Sequence, residues 1–211
     1  MQILYLKSVD STQKYLKELI KSGEISLPIA VTSESQTAGY GSRGDSWNSL
    51  DENLFLSFAL PISTLPKDLK LESASIYFSY ILKETLSNLG SRVWIKWPND
   101  FYVNDKKIGG LITNILDDNF ICGVGINTNK SPENFAKLDI EIDKKSFIKV
   151  YLENIEKYIS WKQVFSKYKL QFYKNKKFFT HKNGFRFSLE RAVLQDDGSI
   201  LADGERIYSL R

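Results

Sequence analysis

Lys96-Trp97-Pro98-Asn99-Asp100, continued by Phe101-Tyr102-Val103 and Asp105-Lys106-Lys107-Ile108-Gly109-Gly110, decides how this chain folds. Val93 to Trp97 is a short apolar run with β-branched and aromatic side chains, and Pro98-Asn99-Asp100 interrupts it as a turn does. Phe101-Tyr102-Val103 resumes extended structure, Asn104-Asp105-Lys106 is polar turn material, and Lys107 to Leu116 runs back as a strand. Asp117-Asp118-Asn119 turns the chain again into Phe120-Ile121-Cys122-Gly123-Val124-Gly125-Ile126-Asn127. Polar residues at successive strand ends can converge on one side of a sheet. Gly109, Gly110, Gly123 and Gly125 would weaken these strands unless a bulge, a ligand or another backbone comes close. A hairpin with solvated lysines accounts for any one of these residues alone. The whole run, with a Pro-Asn-Asp turn and paired glycines twice, reads instead as a site.

Outward from this meander, the chain mixes strands and helices. Ile3–Leu6 predicts a first strand, and Asp10-Ser11-Thr12 offers helix N-caps before Tyr15, Leu16, Leu19 and Ile20 at helical spacing, with Gly23 as the stop. Pro28 to Thr32 predicts a second strand, Ser33 to Glu52 a polar loop, and Leu54 to Leu60 a buried strand ended by Pro61. Residues 68–89 carry the apolar spacing of an amphipathic helix closed by Gly90. Residues 143–173 read as two helices broken near Ser160-Trp161. From Phe178 the pattern changes to short strands, with turns at Lys182-Asn183-Gly184, Asp196-Asp197-Gly198 and Asp203-Gly204. The absence of regular βαβ alternation favours an α+β fold over a doubly wound parallel sheet. The division expected is a main domain over residues 1–174 and a small β-module over 175–211, the latter too small to fold well alone.

Bulk properties narrow the function. A chain of 211 residues can bury roughly 70% of its unfolded surface and needs no disulfide or metal to fold. The single Cys122 excludes an internal disulfide framework and suits a reducing, cytoplasmic setting. With one histidine, His181, set among lysines, a soft-metal site has almost no ligands and no metal-binding residue is assigned; serine–histidine chemistry is equally unsupported. No run approaches the ~18 apolar residues of a membrane span, and residues 1–9 do not read as a signal peptide. The net charge of +4 favours acidic partners, phosphates included, but falls short of a nucleic-acid footprint.

Gly39-Tyr40-Gly41-Ser42-Arg43-Gly44 matches the string G-x-G-x-x-G, yet no helix opens inside it as a dinucleotide site requires. Kinase signatures and a P-loop are also missing. What survives is a backbone loop whose N–H groups and Arg43 can fold over a phosphate, with Trp47 beyond it as a platform for a purine ring. Together with the meander it suggests a site holding a phosphate ester and an acyl group.

Asp10-Ser11-Thr12, then Gln36-Thr37-Ala38-Gly39-Tyr40-Gly41-Ser42-Arg43-Gly44-Asp45-Ser46-Trp47, then Lys96–Asp100 through Lys107-Ile108-Gly109-Gly110 resemble, in order and spacing, the biotin protein ligases. Gly123–Asn127 continues the match, and Gly204–Arg211 is similar to the end of that family's small C-terminal domain. The resemblance implies a mixed sheet like that of class II aminoacyl-tRNA synthetases, with an SH3-like C-terminal module. It implies ATP-dependent activation of biotin as biotinyl-5′-adenylate, with Mg2+, and transfer to a lysine of a biotin carrier protein. A homodimer is compatible with it; nucleic-acid and membrane partners are not expected. By matching positions, Ser11, Thr12, Gln13 and Gln36 would contact biotin, and Gly110 and Gly125 would admit backbone to its rings. Lys107 would bridge the biotin carboxylate and the α-phosphate, and Asp100 would receive or orient the proton of the attacking amine. Gly39, Tyr40, Gly41, Ser42, Trp47, Asn99 and Asn127 would serve the nucleotide and its phosphates.

One departure is chemical. The family's loop usually reads G-R-G-R-x-G-R-x-W; here Tyr40, Ser42 and Asp45 take the arginine places and Arg43 lies one position later. Each lost charge-assisted hydrogen bond weakens the grip on an anion by about 1 kcal/mol. Arg43 is expected to substitute in part, and the adenylate to escape faster than is usual. Only Met1–Asp10 precede Ser11, so the DNA-binding domain of some members is not expected. Two rival readings stand beside this one. A lipoate ligase or octanoyltransferase shares the fold, against which Trp47 and Lys96–Asp100 argue; a nucleic-acid-binding module is suggested by the pI near 8.9 but lacks a concentrated basic stripe.

Overall fold

The protein is described from a computed structural model, which describes residues 1–41, 46–47 and 52–209. Strands β1 (Gln2–Val9), β2 (Ile29–Gln36), β5 (Leu54–Pro61), β6 (Trp94–Lys96), β7 (Asp100–Val103), β8 (Lys106–Leu116) and β9 (Asn119–Ile126) form one mixed sheet in the order β1-β2-β5-β9-β8-β7-β6. Only β1 and β2 pair in parallel within it, joined through helix α1 (Thr12–Ser22); the other neighbours are antiparallel. Strands β3 (Gly39–Tyr40) and β4 (Ser46–Trp47) make a separate short pair.

The sheet's two faces differ. Alternate residues of β5, Leu54, Leu56, Phe58 and Leu60, join one apolar cluster with helix α2 (Ala74–Asn88), α3 (Lys144–Ile155) and α4 (Trp161–Tyr168). Helix α2 is buried along its whole first half; its Ser75 finds a partner inside the protein, whereas Ser79 Oγ has none among the described residues. On the opposite face α1 packs Leu16 against Ile29, Val31, Ala59 and Ile121, covering only the β2–β5–β9 part. Over β7, β8 and the end of β9 that face is left uncovered by α1, although Tyr102 of β7 meets the ring of Phe178 there.

Most expected elements stand, with shifts: the short β3–β4 pair lies inside the predicted 33–52 loop, and the second helix expected over 143–173 gives way after Tyr168 to a 3-10 segment. Strand β2 runs on to Gln36, where a loop is predicted from Ser33, because its pairing with β1 continues through Ser33↔Leu6 and Gln36↔Val9 despite polar side chains. The helix predicted over 68–89 starts at Ala74, preceded by a 3-10 turn at Leu71–Ser73. Ser11 caps α1 through its side chain and Gly23 ends it in the left-handed region, as read from the sequence.

Beyond α4, a 3-10 segment (Lys169–Lys177) leads to the hairpin β10 (Phe179–Lys182)–β11 (Phe185–Ser188) and the three-stranded β12 (Val193–Leu194)–β13 (Ile200–Ala202)–β14 (Glu205–Ile207). These strands share the main apolar cluster through Leu189, Ile200, Ala202 and Ile207. Buried serines of α2 and the turn before it complete the join: Ser73 donates to the Asp197 carbonyl, and Ser75 to that of Ser209.

Candidate active site

A cavity of about 170 Å³ opens on the uncovered part of the sheet, at the N-terminal end of α1. Its lining brings together Ser11, Thr12, Gln13, Gln36, Tyr40, Gly41, Asn99, Asp100, Lys107, Gly110 and Gly125 of the expected residues. Ser57, Leu111, Ile112, Gly123, Val124 and Phe135 complete the wall.

One end is a polar pocket built at the start of α1. Thr12 donates its backbone N–H (2.7 Å) and its hydroxyl (3.0 Å) to Gln36 Oε1, and its hydroxyl also lies 2.9 Å from Ser57 Oγ. These bonds link α1, β2 and β5 into one wall at the positive end of the helix dipole, which favours an oxygen ligand. Gln13 is only 5% exposed, and its side-chain Nε2 has no acceptor among the described residues. A buried amide donor without a partner costs about 1–3 kcal/mol, which a bound acceptor would recover. A Cβ at Gly123 would stand 3.2 Å from that nitrogen and 3.4 Å from Ile112 Cγ1, so the glycine keeps this floor flat.

The other end carries charge. Lys107 Nζ lies 2.6 Å from Asp100 Oδ1, and Lys96 Nζ lies 3.5 Å from Asp100 Oδ2. One carboxylate shared by two ammonium groups leaves a net positive charge, suited to a phosphate or carboxylate. The strand register explains why Lys107 points here. Phe101 pairs with Gly109 but Tyr102 with Lys107, so β8 carries Ile108 as an extra, bulged residue. Without it, alternation from the cavity-facing Gly110 would turn Lys107 to the other face. Residues after β9 secure the bulge: Asn127 N–H donates to the Ile108 carbonyl (2.7 Å) and Ala136 N–H to that of Lys107 (2.9 Å). Tyr102 lies on the same face; burial first, then the nearby Asp100 charge, raise its phenol well above the usual range.

Asn99 fixes the turn between these parts, its side-chain amide donating to the Leu111 carbonyl and its carbonyl accepting from Leu111 N–H at 3.1 Å. Asn127 is not brought into the cavity wall. Its side chain accepts from Asn53 (3.4 Å) and donates to the Ala136 carbonyl (3.2 Å). Gly39 lies on β3 beside the cavity and pairs with Trp47 of β4. Ser42 and Arg43, and the side chain of Trp47, lie outside the described residues. Ser57 was readable as the one hydroxyl in an apolar strand, whereas Phe135 comes from an aperiodic stretch with no sequence signal.

A seven-stranded mixed sheet, α2, α3 and α4 packed on one face, and α1 beside a polar, cation-bearing cavity on the other define the class II aminoacyl-tRNA synthetase-like fold. Within that class the chain belongs to the biotin/lipoate A/B protein ligase family, whose model matches residues 5–128. It is 38% identical to a biotin acetyl coenzyme A carboxylase synthetase from Helicobacter pylori, solved with bound biotinylated ATP, with TM-score 0.93 over 98% of this chain and 99% of that one. A biotin protein ligase from Aquifex aeolicus shares the fold, with TM-score 0.73 at 24% identity over 100% of this chain and 96% of the other. The bifunctional ligase/repressor BirA of Escherichia coli is 33% identical over 132 residues, which are 59% of this chain and 40% of that protein. The chain thus spans well under half the length of this curated relative.

Proposed function

We propose that the protein is a biotin protein ligase that forms biotinyl-5′-adenylate from biotin and Mg-ATP and transfers the biotinyl group to a lysine of a biotin carrier protein. The observation that carries this reading is the single cavity joining the Ser11–Thr12–Gln36 pocket to the Lys107–Asp100 pair. The full-length likeness to the Helicobacter pylori synthetase, with its bound biotinylated ATP, supports the same ligands here.

In this reading Ser11, Thr12 and Gln36 hold the ureido ring, and Gln13 supplies the buried amide donor. A biotin carboxylate oxygen attacks the α-phosphorus as the bond to the β-phosphate breaks and pyrophosphate leaves. Lys107 neutralises charge building on the carboxylate and the α-phosphate. Asn99, Tyr40, Gly41, Ser42 and Trp47 serve the nucleotide, and Arg43 takes over part of the phosphate contact that arginines make elsewhere in the family. The carrier amine, with an ordinary pKa near ~10.4, loses a proton before it attacks the acyl carbon and expels AMP; Asp100 orients or accepts that proton. Magnesium enters with the triphosphate; among the described residues no three His, Cys, Asp or Glu side chains cluster. A cytoplasmic setting belongs to the same proposal, supported by the lone buried thiol of Cys122.

The family description also embraces lipoate ligases. A thermal-shift comparison separates the two: biotin plus ATP raises Tm by several degrees and lipoate does not, whereas the reverse pattern would give the chain to lipoate.

A further inference from the structure

The turn that carries Asn99 and Asp100 is held from outside the sheet. Trp97, fully buried, donates its backbone N–H to Asn175 Oδ1 at 2.7 Å and its indole N–H to the Gly198 carbonyl at 2.8 Å. Both acceptors lie far along the chain, 78 and 101 residues downstream. Both are themselves fixed. Asn175, also fully buried, donates its side-chain amide to the Phe172 carbonyl at 3.1 Å, and its own carbonyl accepts from Phe178 N–H at 2.8 Å. Gly198 sits at φ +75° with its N–H bonded to Gln195, and a Cβ there would stand 2.7 Å from Ile76 Cδ1. Any larger residue there would be strained at this φ and would have to displace Ile76 or Trp161, or shift the backbone that carries the carbonyl.

We propose that Asn175 and Gly198 are positioning residues for the reaction: through Trp97 they set where Asn99 and Asp100 stand, and with them the Asp100–Lys107 pair. The inference rests on the ligase reading for the chemistry it affects, but not for the geometry. On its inner side the turn is tied to β8 by Asn99 and Leu111, which exchange bonds in both directions. On its outer side it has Asn175 and Gly198. Releasing the outer tie lets Asp100, three residues on, move relative to Lys107, now 2.6 Å away. Displacement of about 1 Å at a reacting site can cost on the order of 100-fold in rate. The Ser11–Thr12–Gln36 pocket is built from other elements, so ligand binding there should be spared.

The test compares wild type, Asn175→Ala and a control, Leu152→Ala, which empties a buried position of α3 away from the turn. Without substrates, hydrogen exchange over residues 99–103 should accelerate at least about tenfold in Asn175→Ala while β1 and β2 keep their protection. With biotin and ATP, the turnover of adenylate formation should fall about 10- to 100-fold while KM for biotin changes less than about threefold. Leu152→Ala should lower Tm without that loss of turnover. Trp97→Phe, which keeps an aromatic ring and deletes only the indole donor, should reproduce a smaller part of both effects and serves if Asn175→Ala does not fold. Unchanged exchange over 99–103, or the same turnover loss in a control of equal Tm, would overturn the proposal. A wild-type chain that makes no adenylate would instead sink the ligase reading, and the exchange arm would still decide this one.

Discussion

Lys107 stands where charge must be balanced during activation of a carboxylate, and its pairing with Asp100 at 2.6 Å keeps it extended into the cavity. Lys107→Gln preserves much of the side-chain length and removes the charge. It should slow adenylate formation at least about 100-fold, roughly 2.7 kcal/mol, with little change in urea stability. Gly123→Ala should act at the other end, crowding Gln13 Nε2 from 3.2 Å; biotin affinity by calorimetry should fall about tenfold and ATP affinity should hold. Cys122 is fully buried, and burial pushes its thiol well above the ordinary range. Alkylating reagents at pH 8 should leave it intact in the native protein and modify it in urea. At this scale the sequence was most legible where a residue type is forced by local chemistry, as with the capping Ser11; Lys107 and Asp100 were named through the family resemblance, without their pairing. It was least legible for Asn127, whose side chain is engaged by Asn53 and Ala136, partners that no local pattern announces.

Elements place these residues through departures from ideal strands. The Ile108 bulge turns Lys107 onto the cavity face, and simple alternation read from the sequence would not have told which face it takes. Gly109 is the companion of that bulge, since a Cβ there would lie 2.4 Å from the Gly125 carbonyl oxygen, a backbone atom that cannot swing aside. Gly109→Ala should therefore destabilise the fold by about 3 kcal/mol, read as a lowered urea midpoint at unchanged slope. The glycines were readable as places of close approach, but only the family resemblance singled out Gly110 and Gly125 for a ligand, and nothing in the sequence set Gly109 against a backbone. The extension of β2 to Gln36 was hidden for a related reason: Ser33, Glu34, Ser35 and Gln36 have weak strand preference, and pairing with β1 carries the strand on to Gln36, beside Thr12.

At the scale of the molecule, the C-terminal strands belong to the same apolar cluster as the sheet, and their joining bonds run from α2 and Trp97. A chain ending at residue 174 should fail to give a cooperative unfolding transition, because it would bare Trp97 and the α2 face. Two carboxylates act as clamps: Asp139 binds the distant Ser91 and Arg92, and Asp197 binds Ser199 and Arg206 within the C-terminal strands. Burial alone would raise both pKa values, but these hydrogen bonds outweigh it and hold both below the usual range. A folded value below the unfolded ~3.9 stabilises the protein fully above that pH and is lost as pH falls through the folded value. Urea midpoints should thus decline below about pH 4 and decline less steeply in Asp139→Asn. The α+β class was legible from the irregular mixture of strands and helices, and the short C-terminal strands from turn spacing; their sharing of one core with the sheet was not, because long-range packing leaves no local signature. The most direct measurement is the mass of a biotin carrier domain after incubation with biotin, Mg-ATP and either the wild-type chain or Lys107→Gln. The account predicts one added biotinyl group on the carrier with wild type and almost none with the variant; an unmodified carrier and no adenylate with folded wild-type chain, or equal labelling by both, would contradict it.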